Sequence, residues 1–195
     1  MTLVEVLVTS GILLLLLAVL TGVYVRGSSV WRKVESKTEL LRELQVALRK
    51  IERNLSISHP KGVTRGEKAL AYLSLQNADG KIEVVDVGPV WQKFVTVYVD
   101  ADGLLREASV PRSVPDSLAP SFIEATGFTL DDYLANFPNP DHQRLTHSGE
   151  ITLFQLTPTG DYGSLYKLEV TALKKNGGDI TEKVQLESAV SVRNI

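Results

Sequence analysis

The chain has 195 residues, with 21 Lys+Arg against 23 Asp+Glu, 44% hydrophobic and 23% charged residues. That is room for one ordinary domain with a sizeable core plus an appendage of about sixty residues, and it excludes an intrinsically disordered chain. A net charge of −2 argues against bulk nucleic-acid binding, and the absence of cysteine removes thiol catalysis, disulfides and thiolate metal sites together.

The average joins two unlike parts. Residues 1–60 carry 8 Lys+Arg and 5 Asp+Glu (+3), whereas residues 61–195 carry 13 and 18 (−5). From Val6 to Val25 there are twenty consecutive residues without charge or proline. As a helix this segment is about 30 Å long, the thickness of a bilayer hydrocarbon core. A cleaved secretory signal would need a basic start, but the chain opens MTLVEV, with an acid and no base. A buried core helix would show a polar face, but Ile12 to Leu20 is apolar all round. The expectation is a membrane span or filament core over residues 1–26.

Beyond Val25 the helical pattern continues but becomes amphipathic, with Leu41, Leu44, Leu48, Ile51 and Leu55 at spacings of three and four. Arg42, Glu43, Arg49, Lys50, Glu52 and Arg53 lie between them and predict a wet opposite face. Like charges at Glu35/Glu39, Glu39/Glu43 and Arg49/Arg53 mean that local pairing does not hold this helix, so its stripe needs a cover. Residues 27–58 are thus predicted to pack on the rest of the chain, and His59-Pro60 supplies the stop.

Residues 61–195 read as strands. ALAYLSLQ and KIEVVDV flank Asn77-Ala78-Asp79-Gly80 and predict a hairpin, and WQKFVTVYV and LLREASV flank Asp100-Ala101-Asp102-Gly103 and predict a second. ITLFQLT is followed by a long final hairpin around Asn176-Gly177-Gly178. Val184, Leu186, Ser188, Val190 and Val192 alternate with polar residues, which predicts a sheet with one dry and one wet face. An antiparallel sheet laid on one long helix gives an α+β head. Residues 111–149 hold Pro111, Pro115, Pro120, Pro138 and Pro140 and read as a loop insertion that decorates the head, with a short helix from Thr129 as N-cap to Leu134.

The anomaly is Glu5. A carboxylate one turn into an apolar helix is costly in hydrocarbon unless it reaches the interface or a cation, and no Lys or Arg lies between residues 1 and 25. The alternative is an interfacial acid that the helix dipole tolerates. The nearest positive charge is an α-amino group, the chain's own or a neighbouring copy's; in a stack of helices the second would fix axial register.

Met1-Thr2-Leu3-Val4-Glu5-Val6-Leu7-Val8, followed by the leucine-rich run, resembles the mature N-terminus of type IV pilins and type II secretion pseudopilins. LLRELQVALRKIERNLSIS, Val95-Thr96-Val97-Tyr98, Asp102-Gly103-Leu104-Leu105-Arg106 and the ending Val190-Ser191-Val192-Arg193-Asn194 look like J-type minor pseudopilins and W-type minor pilins in their order along the chain. The resemblance implies a pilin-like fold and leader cleavage by a prepilin peptidase. It further implies N-methylation of Met1, a role for Glu5 in subunit assembly, and helix packing through Leu3, Val4, Leu7, Gly11 and Gly22. It places the protein in a bacterial inner membrane with its head in the periplasm, and in an extracellular or periplasmic filament when assembled with other pilins or pseudopilins. A basic leader would also offset Arg26, Arg32 and Lys33, which otherwise draw the C-terminal flank inward. Met1 stands where phenylalanine is usual, and Gly22 where many major pilins carry a helix-melting proline, so local unwinding is not expected.

Other chemistry finds little support. Asp100 and Asp102 echo the start of a calcium loop but lack its distant bidentate glutamate, so a plain turn is expected, with no metal or other cofactor. His142 and His147, near Asp141 and Glu150, read as solvated loop residues, and no phosphate loop, nucleophile elbow or His-Glu-x-x-His motif is present. The expected function is a non-enzymatic minor subunit in the tip or priming complex of a pseudopilus or pilus. A repeating shaft subunit and a DNA-uptake or adhesion pilin are the alternatives. Filament stoichiometry separates the first two, and the head's −5 charge, with only Lys174, Lys175 and Lys183 as a basic spot, argues against the third.

Overall fold

The structure is a computed structural model describing residues 2–77, 81–82, 84–85, 88–116, 118–136, 142–159, 165–176 and 180–192. It has the expected α+β class, with a long N-terminal helix, α1 (Leu3–Ser56), and an antiparallel strand-rich region. The chain divides into two compact units, Met1–Glu39 and Leu40–Ile195. The first unit is helical from Leu3 onward and has no buried residue among those described.

In the second unit, β1 (Thr64–Arg65), β2 (Ala69–Ser74), β5 (Trp91–Val99), β6 (Leu105–Asp116) and β7 (Gln143–Arg144) form a five-stranded sheet in the order β1-β2-β5-β6-β7. A three-stranded sheet has the order β10 (Ile180–Ser191), β9 (Leu165–Asn176), β8 (Glu150–Pro158). A small ribbon joins β3 (Val84–Val85) to β4 (Gly88–Pro89), and all pairings among the described residues are antiparallel. The single sheet expected from sequence is therefore replaced by two main sheets.

The last turns of α1 join them. Leu40, Leu44, Ala47, Leu48, Ile51 and Leu55 are buried in one core with Leu70, Tyr72, Val95, Val97 and Leu105 of the five-stranded sheet. The same core takes Phe154, Leu168, Val170, Val184 and Val190 of the three-stranded sheet, so one stripe covers both. Each such aliphatic side chain contributes about 1.5–3 kcal/mol by leaving water. Polar side chains beside the stripe also reach the sheets. Lys50 meets Glu107 at 3.0 Å, Asn54 donates to the Tyr72 hydroxyl at 3.3 Å, and the Glu43 carboxylate accepts from the backbone N–H of His147 and Ser148 at 2.9 and 3.0 Å. The helix face between the apolar positions is thus less wet than its charges suggest.

The segment 111–149 departs from the expected decorating loop. Its first residues extend β6, and it contains α2 (Phe122–Thr126), α3 (Leu130–Asn136) and β7. Phe122 and Leu130 are buried against Ala69, Ala71, Leu73, Trp91, Phe94 and Val110, a second core on the opposite side of β2 and β5. Consequently every residue of β2 is buried, and the expected wet face of this sheet is dry there. The Thr129 cap forms as expected, its hydroxyl accepting from Asp132 N–H at 3.2 Å. Pro138, Pro140 and Asp141 lie outside the described residues.

The first expected hairpin is cut short. Its turn is closed by Asn77 and Lys81, and among the described residues a single bridge beyond it joins Gln76 to Ile82, while β2 takes β5 as its long partner. Ala78, Asp79, Gly80, Glu83, Asp86 and Val87 lie outside the described residues. The second hairpin forms with Val99 opposite Leu105, and the final one with Asn176 opposite Ile180; Gly177, Gly178, Arg193 and Asn194 are outside the described residues. Val184, Val190 and Val192 are buried, as their alternation predicts.

Candidate functional site

The most unusual surface of the molecule is the start of α1. Leu3, Val4 and Leu7 are 80%, 66% and 66% exposed, and the large apolar side chains from Ile12 through Val25 are all exposed. A Cβ placed on Gly11 or Gly22 would meet no heavy atom within 4 Å, so their surroundings are open. The two glycines are eleven residues apart, three helical turns, and share a face of α1 with Ala18. Small residues at this spacing let a second helix backbone approach closely. By length and composition, one helix among the described residues, α1, is long and apolar enough to cross a membrane.

The hydroxyls of Thr9, Ser10 and Thr21 in this stretch are satisfied within the helix. Thr9 donates to the Glu5 carbonyl at 2.7 Å, Ser10 to Val6, and Thr21 to Leu17 at 2.8 Å. A hydroxyl bonded to its own helix backbone can face hydrocarbon at low cost. At the far end of the apolar run Tyr24 and Trp31 are 77% and 75% exposed, beside Arg26, Arg32 and Lys33. Aromatic and basic residues of this kind suit the membrane–water boundary.

Glu5 has a partner that sequence reading did not anticipate. Its carboxylate accepts from the backbone N–H of Thr2 at 2.8 Å, and its own N–H donates to the Thr2 hydroxyl at 3.4 Å. This reciprocal cap satisfies two donors left over at the helix start. The signal was present as Thr2-x-x-Glu5, the spacing that also caps α2 through Ser121 and Glu124. In α2 the Ser121 backbone N–H holds the Glu124 carboxyl below its usual range. Met1, the other expected assembly residue, lies outside the described residues.

Asp100 and Asp102 sit in the β5–β6 turn, where the Arg106 guanidinium is bonded to Asp100 and lies 3.7 Å from Asp102. Burial pushes the Asp100 carboxyl up, but the Leu104 N–H and Arg106 outweigh it and hold it below the usual carboxylate range. The place a cation would take between the two acids is thus held by the chain's own cation. His142 Nδ1 lies 3.3 Å from the Tyr98 hydroxyl, and no group of three or more His, Asp or Glu suited to a metal occurs among the described residues. No protein-family model, curated protein or solved structure matches the chain.

Proposed function

We propose that this protein is a membrane-anchored structural subunit of a pilus-like filament, of the minor pseudopilin or minor pilin kind, working in a tip or priming complex. The observation that carries the reading is a helix whose apolar first part is wholly exposed, while Leu40–Leu55 of the same helix belongs to the core of the head. Before assembly the exposed part is stored in the bacterial inner membrane, with the head in the periplasm. On assembly, helices of other subunits replace the lipid around Leu3, Val4, Leu7, Gly11 and Gly22. The α-amino group of Met1, freed from a leader by a prepilin peptidase and methylated, meets the carboxylate of Glu5 on a neighbour.

The cap adds a physical detail to this step. One Glu5 oxygen accepts from Thr2 N–H, and a carboxylate has lone pairs for further donors. A neighbour's amine therefore joins the cap without breaking it. In apolar surroundings a helix stack lacking that charge pairing leaves Glu5 buried without a cation, so wrong axial offsets are disfavoured. The test is incorporation of Glu5→Ala into filaments in cells that make the other subunits. The variant is expected to accumulate in the membrane and to be missing from filaments; incorporation at wild-type levels would remove the mechanism.

A further inference from the structure

A cleft of about 500 Å³ opens in the head between the end of α1 and the five-stranded sheet. Arg49, Lys50 and Arg53 enter it from α1 and Lys93 from β5, against one lining acid, Glu107. Lys50 neutralises that acid, lying 3.0 Å from both of its carboxylate oxygens. Among the described residues Arg49, Arg53 and Lys93 have no ion-pair partner, and Lys93 donates to the Asn77 carbonyl at 3.5 Å. Among the described residues, three cations therefore face one cavity without an ion-pair partner. Arg49 and Arg53, one turn apart on α1, repel each other mildly.

The remaining lining suits a polar guest. Asn54, Ser74 and Gln76 supply amide and hydroxyl groups, and Val95 gives a small apolar patch. Guanidinium forks match the oxygens of phosphate and carboxylate, and three cations converging on one cleft favour the group that gathers more charge and more acceptor oxygens on a single centre. The head's net −5 does not oppose this, because charges beyond a screening length of about 8–10 Å contribute little inside the cleft.

We infer that this cleft binds a phosphate group, as inorganic phosphate or a small phosphate monoester, with Arg49, Arg53 and Lys93 as its direct ligands. The space beyond one phosphate leaves room for a compact organic body against Val95. This site is independent of the filament reading, since it involves neither Glu5 nor the apolar part of α1.

The test is calorimetric titration of the full chain in maltoside micelles with inorganic phosphate and glycerol phosphate, and with succinate as a dicarboxylate control. Saturable one-to-one phosphate binding is expected, stronger than that of succinate. Arg49→Gln with Arg53→Gln should weaken it by roughly tenfold or more, and Lys93→Gln should also weaken it. Arg42→Gln, on α1 outside the cleft lining, should leave it unchanged. Addition of phosphatidylglycerol to the micelles names the source: displacement of inorganic phosphate indicates a lipid headgroup, its absence a soluble phosphate, and both retain the site. No saturable binding in the millimolar range, equal binding of succinate, or unchanged affinity in the double arginine variant would overturn the proposal. Circular dichroism melts of each variant separate lost binding from lost fold.

Discussion

Glu5 serves its own helix as a cap, and its proposed second task is electrostatic, so two substitutions separate the roles. Glutamine keeps an oxygen that can accept from Thr2 N–H but loses the charge, whereas alanine loses both. Under the filament reading Glu5→Gln fails to incorporate as Glu5→Ala does; recovery of incorporation by the glutamine alone would reduce Glu5 to a helix cap. Asp100 carries a second residue-scale prediction. Its carboxyl is held below the usual range in the folded chain, so its contribution is present above the unfolded value of about 3.9 and is lost as pH falls through the lower folded value. Asp100→Asn should flatten the acid limb of stability below about pH 4, measured as the urea midpoint against pH, relative to the parent chain. An unchanged slope would remove the assigned pairing with Arg106.

At the scale of elements, the end of α1 and the 122–136 segment are the two clamps on the five-stranded sheet. Leu44 and Ile51 are 1% and 0% exposed in the core shared by both main sheets. Truncating either to alanine should cost about 2–5 kcal/mol of head stability, measured by denaturant unfolding. Phe122 stacks edge-on with Phe94 at 5.1 Å and with Tyr133 at 5.5 Å, bringing α2 and α3 onto the far side of β2 and β5. Phe122→Ala should cost about 3–5 kcal/mol and speed proteolysis within 118–136, whereas a loop that merely decorates the head would tolerate the change. Gly149 is a backbone requirement at this scale, with φ at +81° and a would-be Cβ 2.7 Å from Leu40 and 3.1 Å from the Leu173 carbonyl. That close approach lets the strap before β8 cross α1 where Glu43 holds it.

At the scale of the whole molecule, the two units differ in what they bury. Residues 40–195 hold every buried residue described, whereas the apolar residues of 1–39 are exposed. A chain beginning at Ser28 should therefore stay in solution without detergent and unfold in one cooperative transition, with strand content like that of the intact protein. The full chain should require detergent or lipid. Aggregation of the shortened chain, or loss of its strands by circular dichroism, would sink the assignment of a self-sufficient head. The filament proposal and the phosphate cleft divide along the same line, so each can fail without the other.

Much of this was legible along the chain because it rests on local pattern. The charge-free run Val6–Val25, the stripe ending at Leu55, the Asp100–Gly103 turn and the alternation through Val192 each state their own solvent preference within a few residues. The Thr2–Glu5 cap is equally local, carried by the spacing Thr2-x-x-Glu5. What tertiary structure alone decided was which surfaces meet: β2 choosing β5 over the nearer KIEVVDV segment, two sheets in place of one, Phe122 and Leu130 forming a second core, and Arg49 and Arg53 converging with Lys93. These depend on burial and charge gathered from residues distant in sequence, and no periodicity within one segment encodes which distant partner removes it from water.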